Sequence, residues 1–194
     1  MCGVAGIFSY RFDAPPVNRQ ELRTLRDSMA LRGPDGAGEW YSPDGRVGLA
    51  HRRLSFLDLS ENGSQPMLDR EGTLAVSFNG EIYNYREIRV RLEQKGYRFK
   101  SDSDTEVLLY LYREKGEGMV ADLRGMFAFI LWDGDKQRML IARDKFGIKP
   151  LYYLDDKGVF KTASQVKTLL KAESVDTATD PAGHVGFFVW GYVP

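Results

Sequence analysis

Residues 125–144, GMFAFILWDGDKQRMLIARD, indicate the fold class of this chain. Two strongly apolar runs, 125–133 and 138–144, flank the polar turn GDKQ, a pattern that predicts a β-hairpin. Two further runs, 150–156 and 158–164, predict a second hairpin. Strands therefore follow strands directly and do not alternate with helices. This order favours an α+β fold over a doubly wound parallel sheet.

The rest of the chain adds strands and amphipathic helices on the amino-terminal side of this hairpin and one short helix after the second. Further strands are predicted at 2–8, 38–42, 46–59 and 73–80. Helices are predicted at 18–33, 84–97, 107–116 and 165–172. Asn84 with Glu87, and Ser103 with Glu106, have capping-box spacing, which predicts that Asn84 and Ser103 begin two of the helices. At least six strands and about four helices are expected in all.

Composition excludes several classes of protein. The 27 basic and 27 acidic side chains cancel, so no bulk charge attracts the chain to nucleic acid or to an anionic membrane. No apolar run approaches the roughly 20 residues that span a bilayer, and the first residues lack the pattern of a signal peptide. A single cysteine among 194 residues forms no internal disulfide. We therefore expect a cytoplasmic protein. The two histidines, His51 and His184, are interpreted as structural or surface residues.

The only cysteine, Cys2, is one residue from the start of the chain. Removal of Met1 would leave Cys2 with both a thiol and a free α-amine. The ordinary pKa of an α-amine is near 8, so the amine can act as general base for the thiol of the same residue. An N-terminal nucleophile of this kind needs no histidine. The alternative is that Cys2 is a small apolar residue of the first strand.

Asn79 and Gly80 follow a predicted strand, which we expect to end at Gly80. A side-chain amide next to an unhindered backbone N–H provides the two donors that an oxyanion hole requires. The alternative is a tight hairpin turn, for which Asn-Gly is a strong signal. A helix is predicted to follow, which weakens that alternative.

Seven motifs, in order along nearly the whole chain from Cys2 to about Lys167, resemble the glutaminase domain of glutamine-hydrolysing asparagine synthetase, a class II glutamine amidotransferase. They are CGVAGIF (2–8), RGPDG (32–36), AHRRLSFLDLSENGSQPM (50–67), FNGEIYNY (78–85), SDSDTEV (101–107), LRGMFAF (123–129) and ARDKFGIKPLYY (142–153). The resemblance implies an N-terminal-nucleophile hydrolase fold: a four-layer αββα sandwich of two stacked antiparallel sheets. It also implies hydrolysis of L-glutamine, with the ammonia passed to aspartate in an ATP-dependent synthetase domain.

The resemblance assigns roles to individual residues. Cys2 would be the nucleophile, and Asn79 and Gly80 would hold the oxyanion. Arg53 would bind the α-carboxylate of glutamine, for which a guanidinium offers bidentate geometry. The remaining substrate-binding residues would be Leu54, Ser55, Phe56 and Leu57 in the pocket wall, and Glu81 and Asp104 at the α-ammonium. Taken singly, Arg53 and Glu81 could be ordinary surface residues, and Asp104 could serve the start of a helix.

The resemblance also predicts the domain organisation. Residues 1–175 would form the amidotransferase domain, and 176–194 would start the connection to a synthetase domain that this chain lacks. No Ser-Gly-Gly-x-Asp-Ser loop occurs in the sequence. We therefore expect ATP and magnesium only in that absent domain, with no cofactor or metal in this chain. The expected partners are glutamine and a C-terminal or separate synthetase domain, and a homodimer is left open. The alternatives are a stand-alone subunit serving another ammonia acceptor, or a non-catalytic docking module.

Overall fold

Two antiparallel sheets form the body of the protein. The structure, a computed structural model, describes residues 1–55, 61–173 and 175–192. The strands are β1 Gly3–Ser9, β2 Gly36–Tyr41, β3 Val47–Arg53, β4 Met67–Leu68, β5 Leu74–Ile82, β6 Gly125–Asp133, β7 Arg138–Arg143, β8 Tyr152–Asp156 and β9 Val159–Ala163. The helices are α1 Arg19–Asp27, α2 Tyr85–Gln94, α3 Glu106–Lys115, α4 Val166–Leu169 and α5 Pro181–Trp190.

The strand order within each sheet confirms both predicted hairpins. One sheet has the order β2-β3-β1-β9-β8 and the other the order β4-β5-β6-β7. β6 pairs with β7 so that Asp133 is opposite Arg138, and β8 pairs with β9 so that Asp156 is opposite Val159. All strand pairs are antiparallel.

The side chains of each central strand alternate between two cores, and this alternation creates four layers. On β1, Ala5 and Ile7 pack in a core shared with α1, whereas Val4 faces the other sheet. On β6, Phe129 packs in the core shared with α2 and α3, whereas Ile130 lies between the sheets. Both faces of these strands are covered, which is why their sequences are apolar throughout. The predicted αββα sandwich is confirmed.

The predicted end of the strand at 73–80 is wrong. β5 continues to Ile82, because Asn79 and Gly80 pair with Ala128 and Phe127 of β6. The Asn-Gly pair therefore lies inside a strand, and the hairpin-turn alternative is also wrong. A Cβ at Gly80 would lie only 2.3 Å from the carbonyl oxygen of Met126, so the close approach requires glycine.

The ends of several other elements also differ from the sequence patterns. α1 ends at Asp27, where residues 28–33 turn instead of continuing the helix, and β3 ends at Arg53. Asn84 does precede α2, but its side chain binds the backbone of Asp122 and Arg124 instead of capping the helix. At Asn84, tertiary contacts with the segment before β6 therefore replace the local cap.

The capping box predicted for Ser103 and Glu106 does not form. Thr105 precedes α3, and the Ser103 hydroxyl accepts a hydrogen bond from the Thr105 N–H. The Glu106 carboxylate reaches back to the N–H and hydroxyl of Ser101. These contacts shape the loop before α3, which carries Asp104.

α5 was not predicted, and it presents large apolar side chains to the exterior. The exposed ones are Val185, Phe187, Phe188, Val189 and Trp190. Over the three described ranges, no helix has the length and apolarity needed to cross a bilayer. The same ranges contain no cluster of three or more His, Cys, Asp or Glu side chains suited to a metal ion.

Truncation of a side chain between the sheets should destabilise the whole fold. Leu49 is fully buried there with Val4 and Trp132. Leu49→Ala should lower the free energy of unfolding by about 2–5 kcal/mol, because it removes apolar contacts and leaves a cavity. Urea unfolding followed by circular dichroism measures the loss. Leu31→Ala is the matched control, since Leu31 is 96% exposed and should change stability by less than about 0.5 kcal/mol. Equal losses in both variants would contradict a core at this position.

Candidate functional site

A cleft at one end of the sandwich brings together most of the predicted site residues. Its volume is about 260 Å³, just below the usual range for drug-sized ligands and suited to a small molecule. Seven of the predicted residues line it: Cys2, Arg53, Leu54, Asn79, Gly80, Glu81 and Asp104. Ser55 directly follows this lining, and Phe56 and Leu57 lie outside the described residues.

Strand pairing places the Cys2 thiol in the cleft. Cys2 precedes β1, and the pairing of Gly3 with Arg52 on β3 brings it beside Arg53. Its Sγ accepts a hydrogen bond from the N–H of Leu54 at 3.4 Å and lies 3.6 Å from the Leu54 carbonyl oxygen. Cys2 is only partly buried. Its thiol therefore lies among polar backbone groups of the cleft, in contrast to the core role considered from the sequence.

The segment around RGPDG holds Cys2 and the end of β3 in place. The Arg32 Nε donates to the Cys2 carbonyl oxygen at 3.1 Å. Asp35 donates from its N–H to the Arg53 carbonyl oxygen at 2.9 Å, and its carboxylate accepts from the Ser55 N–H at 2.8 Å. Burial lowers the pKa of the Arg32 guanidinium, and the neighbouring Cys2 partly offsets this effect. This segment therefore sets where Cys2 and Arg53 lie relative to each other.

The Asn79 side chain extends from the opposite sheet toward Cys2. Ser77 and Asn79 share one face of β5, and the Ser77 hydroxyl donates to the Ala50 carbonyl oxygen of β3 at 3.0 Å. Asn79 is 1% exposed, and its Nδ2 is buried without a hydrogen-bond partner among the described residues. An unsatisfied buried donor costs about 1–3 kcal/mol, so this amide is poised for an acceptor that enters the cleft.

The N–H of Gly80 points into the same space. Along β5, the N–H of Phe78 donates to Gln65 Oε1 at 2.6 Å and the N–H of Ile82 donates to Asp104 Oδ2 at 2.9 Å. Alternate N–H groups of a strand point in the same direction, so the Gly80 N–H points between these two acceptors, away from β6. The Asn79 amide and the Gly80 N–H thus form a pair of adjacent donors.

Buried side chains contact β5 from two sides. The His51 Nε2–H of β3 donates to the Phe78 carbonyl oxygen at 3.1 Å. Burial lowers the pKa of His51 to about 4, with Arg53 adding to the effect and Phe78 opposing it. His51 is therefore neutral at pH 7 and structural, as predicted. The Gln65 amide spans from Phe78 to Thr105 Oγ1, 3.2 Å from its Nε2.

Asp104 is a buried carboxylate aimed at β5. It is 3% exposed and accepts from the N–H of Ile82. Burial is the main cause that raises its pKa to about 6, and Glu81 raises it further, whereas the hydrogen bond from Ile82 opposes the shift. A hydrogen bond from the backbone N–H of Thr105, the residue that precedes α3, also opposes the shift, so the side chain contacts both β5 and the start of α3. A buried acid next to a second acid is suited to a cationic group of a ligand.

A family model for the glutamine amidotransferase domain matches residues 1–194. The chain belongs to that family. Its predicted membership of the glutamine amidotransferases is thus confirmed along the whole sequence.

Two curated relatives are similar in sequence to this glutamine amidotransferase over most or all of its length. The chain is 43% identical over 195 residues to glutamine-hydrolysing asparagine synthetase 1 of Bacillus subtilis strain 168, covering 100% of this chain and 30% of the relative. It is 42% identical over 171 residues to glutamine-hydrolysing asparagine synthetase B of Escherichia coli strain K12, covering 88% of this chain and 30% of the relative. The chain thus spans less than a third of the length of either protein.

A solved structure confirms the fold of this glutamine amidotransferase. The glutamine phosphoribosylpyrophosphate amidotransferase of B. subtilis superimposes with a TM-score of 0.72 at 23% identity, over 87% of this chain and 43% of that one. At this identity the likeness establishes the fold alone. It confirms the predicted N-terminal-nucleophile hydrolase architecture.

Sequence reasoning missed three residues of the site, all inside the quoted motifs. Arg32 of RGPDG, Gln65 of the 50–67 motif and Lys149 of ARDKFGIKPLYY were not given individual roles. Gln65 and Lys149 line the cleft, and Arg32 donates to the Cys2 carbonyl oxygen. Their motif membership was the available signal, but only the tertiary structure shows that they meet at one place.

The buried Asp104 carboxylate should make stability depend on pH. Its pKa in the folded state, about 6, exceeds the ordinary value of 3.8, so the stability contributed by the protonated form is lost as pH rises through 6. Asp104→Asn removes this charge and retains an acceptor for the Ile82 N–H. The stability of the variant relative to the parent should therefore increase between about pH 4 and pH 8, by on the order of 1–3 kcal/mol. Urea unfolding at both pH values measures the difference.

Asp102→Asn is the matched control for this experiment. Asp102 lies in the same loop, but its side chain is almost fully exposed beside Arg89. An exposed ion pair contributes less than about 1 kcal/mol, so this variant should show a much smaller pH dependence. A pH-independent effect of Asp104→Asn would contradict the raised pKa.

Proposed function

We propose that the chain hydrolyses L-glutamine to L-glutamate and ammonia through a thioester on Cys2. One observation carries the proposal: the unsatisfied Asn79 amide lies next to the Gly80 N–H in the cleft that contains the Cys2 thiol. Nucleophile and paired donors are the minimum that acyl transfer from an amide requires. The family membership and the names of the curated relatives support the same reaction.

The two ends of glutamine have matching groups in the cleft. The Arg53 guanidinium suits the α-carboxylate, since its planar fork binds a carboxylate in a bidentate way. Asp104 and Glu81 suit the α-ammonium. Held in this way, the γ-amide of the substrate would extend toward Cys2 and the two oxyanion donors.

The reaction requires a base at Cys2, which Met1 removal would supply. The freed α-amine takes the thiol proton while Sγ attacks the γ-carbonyl carbon of glutamine. The carbonyl oxygen becomes an oxyanion that the Asn79 Nδ2–H and the Gly80 N–H stabilise. The carbon–nitrogen bond then breaks as the ammonium of Cys2 gives its proton to the amide nitrogen, which leaves as ammonia. Water attacks the thioester by the same route, which releases glutamate and restores the thiol.

We further propose that the ammonia passes to an ATP-dependent asparagine synthetase part that converts aspartate to asparagine. Both asparagine synthetases compared above are more than three times the length of their match to this chain. Residues 1–175 would form the glutaminase unit, and 176–194 would lead to that part. The exposed apolar side chains of α5 suit burial against another protein surface. ATP and magnesium would belong to the synthetase part, and the location would be cytoplasmic.

Removal of the nucleophile or of an oxyanion donor tests the glutaminase proposal. The purified chain should release glutamate from glutamine, and Cys2→Ala should release none above background. Asn79→Ala should lower kcat by about 10²–10³-fold, because the oxyanion loses one donor. An assay coupled to glutamate dehydrogenase measures glutamate release by the parent chain and by each variant. Asn18→Ala is a matched control: Asn18 caps α1 away from the cleft, and its loss should leave turnover unchanged. Equal glutamate release by the parent and by Cys2→Ala would rule out the thioester mechanism.

Retention of Met1 should block turnover. In that form the Cys2 nitrogen is part of a peptide bond and cannot accept the thiol proton. A chain carrying a cleavable extension before Cys2 should be inactive, and protease cleavage that exposes Cys2 should start glutamate release. Mass spectrometry establishes which form is present in each assay. Turnover by the uncleaved chain at the rate of the cleaved one would show that the α-amine is not the base.

A further inference from the structure

The edge of β5 that faces away from β6 changes its partners shortly before Asn79-Gly80. β4 covers this edge only at its beginning, where Met67 pairs with Val76. Farther along, the N–H of Phe78 donates to a side chain, Gln65 Oε1, at 2.6 Å. The N–H of Gly80 comes next on the same edge, because alternate N–H groups of a strand point in the same direction. It faces the cleft, which Gln65 also lines.

The Gln65 side chain takes the place of a strand at this edge. The antiparallel pairing of Met67 with Val76 would bring Gln65 opposite Phe78 if β4 extended two residues further. Pro66 lies between them, and a proline has no N–H to donate to a neighbouring strand. The amide oxygen of Gln65 therefore supplies the acceptor that a longer β4 would have offered. Because this acceptor is a side chain, the ladder ends there and leaves the next N–H of β5 open to the cleft.

Thr105 determines which way the Gln65 amide faces. The N–H of Phe78 can only donate, so the amide oxygen of Gln65 must face it and the amide nitrogen must point elsewhere. That nitrogen, Nε2, donates to Thr105 Oγ1 at 3.2 Å. Thr105 is 1% exposed and lines the cleft, and its hydroxyl forms no capping bond to α3, which it precedes. The described partner of this buried hydroxyl is thus the Gln65 amide.

Two side chains border the Gly80 N–H along β5, and Thr105 links them. Gln65 binds the N–H two residues before Gly80, and Asp104 binds the N–H two residues after it. Thr105 binds Gln65 through its hydroxyl and follows Asp104 directly in the chain. The first sheet restricts the backbone of Gln65 as well, since a Cβ at Gly38 of β2 would lie 2.0 Å from the Gln65 carbonyl oxygen. These contacts form a closed ring around the Gly80 N–H.

We propose that Gln65 and Thr105 are positioning residues that hold the edge of β5 so that the Gly80 N–H points at the oxyanion. The inference rests on the proposed function, because hydrolysis of glutamine creates that oxyanion. A hydrogen bond weakens steeply as its angle at the hydrogen falls, so a small rotation of the Gly80 peptide would reduce oxyanion stabilisation. Gln65 acts through the Phe78 N–H, and Thr105 acts through the Gln65 amide.

Two substitutions of similar shape test this role in the chain that has Cys2 as its first residue. Gln65→Met removes the acceptor from the Phe78 N–H, and Thr105→Val removes the acceptor from the Gln65 amide. We expect kcat to fall about 10–100-fold in Gln65→Met and about 3–20-fold in Thr105→Val, since the Gly80 donor is misaligned but still present. KM should change by less than about threefold, because the oxyanion forms only after glutamine binds. Thr105→Ser keeps the hydroxyl and should retain kcat within about twofold of the parent.

The double variant distinguishes one shared role from two independent roles. Thr105 acts through the Gln65 amide, so Gln65→Met combined with Thr105→Val should have a kcat within about twofold of Gln65→Met alone. Losses that multiply in the double variant would overturn the inference. Unchanged kcat in both single variants would also overturn it, as would a raised KM with unchanged kcat, which indicates lost substrate binding.

Matched controls for these variants lie outside the cleft. Thr168 of α4 is fully buried, and its hydroxyl lies 2.9 Å from Ser28 Oγ. Thr168→Val therefore removes a buried hydroxyl without touching the edge of β5, and it should leave kcat unchanged even if its melting temperature falls. Gln94 is exposed at the end of α2, and Gln94→Met should also leave kcat unchanged. Circular dichroism establishes that each variant is folded at the assay temperature. Equal losses of kcat in Thr105→Val and Thr168→Val would contradict a specific role of Thr105.

Amide hydrogen exchange separates this inference from the proposed function. Nuclear magnetic resonance measures exchange at Phe78 and Gly80 without glutamine. If the parent hydrolyses glutamine and both single variants keep its kcat, only the inference fails. If the parent releases no glutamate, the hydrolysis proposal fails. In that case the role of Gln65 and Thr105 at the edge of β5 stands if exchange is at least about tenfold faster in both variants and unchanged in Thr168→Val. Exchange as slow as in the parent would overturn the inference too.

Discussion

The packing of β3 against β5 across the space between the sheets determines the whole site. Two buried hydrogen bonds hold these strands together: the Ser77 hydroxyl to the Ala50 carbonyl, and the His51 ring to the Phe78 carbonyl. Cys2 is positioned by its neighbours on the first sheet, and Asn79 lies on the second. The distance from the Cys2 thiol to the Asn79 amide therefore depends on how the two sheets face each other. The apolar core between them keeps that distance constant.

The cleft contains several buried polar or charged groups that lower the stability of the protein when no ligand is bound. Asn79 keeps an unsatisfied buried amide, and Asp104 is a buried acid near a second acid. Each of these lowers the stability of the empty protein. Their common location is what indicates that a ligand with complementary groups completes the site. The rest of the fold, with its three apolar cores, offsets this cost.

The sequence predicted the large elements well because their signals are strong. The hairpin β6–β7 is a long apolar run, a polar turn and a second run, and it formed as predicted. Asn79-Gly80 shows the opposite case, since the local pattern indicated a strand end. Pairing with Ala128 and Phe127, about 50 residues along the chain, continued the strand through both residues. The predicted cap at Asn84 failed for the same reason, because its side chain binds the backbone of Asp122 and Arg124. At Ser103, other local contacts replaced the predicted capping box, from Thr105 to Ser103 and from Ser101 to Glu106.

Residue types and their order along the chain were enough to identify the fold class, the family resemblance and seven of the residues that meet in the cleft. A single cysteine at position 2, an Asn-Gly pair and a set of motifs in order can be recognised without coordinates. The unsatisfied state of the Asn79 amide, the direction of the Gly80 N–H and the burial of Lys149 could not be recognised in this way. These properties depend on which distant strands and loops lie next to each residue. Burial and hydrogen-bond satisfaction are decided by neighbours in space, and a linear sequence does not specify those neighbours directly.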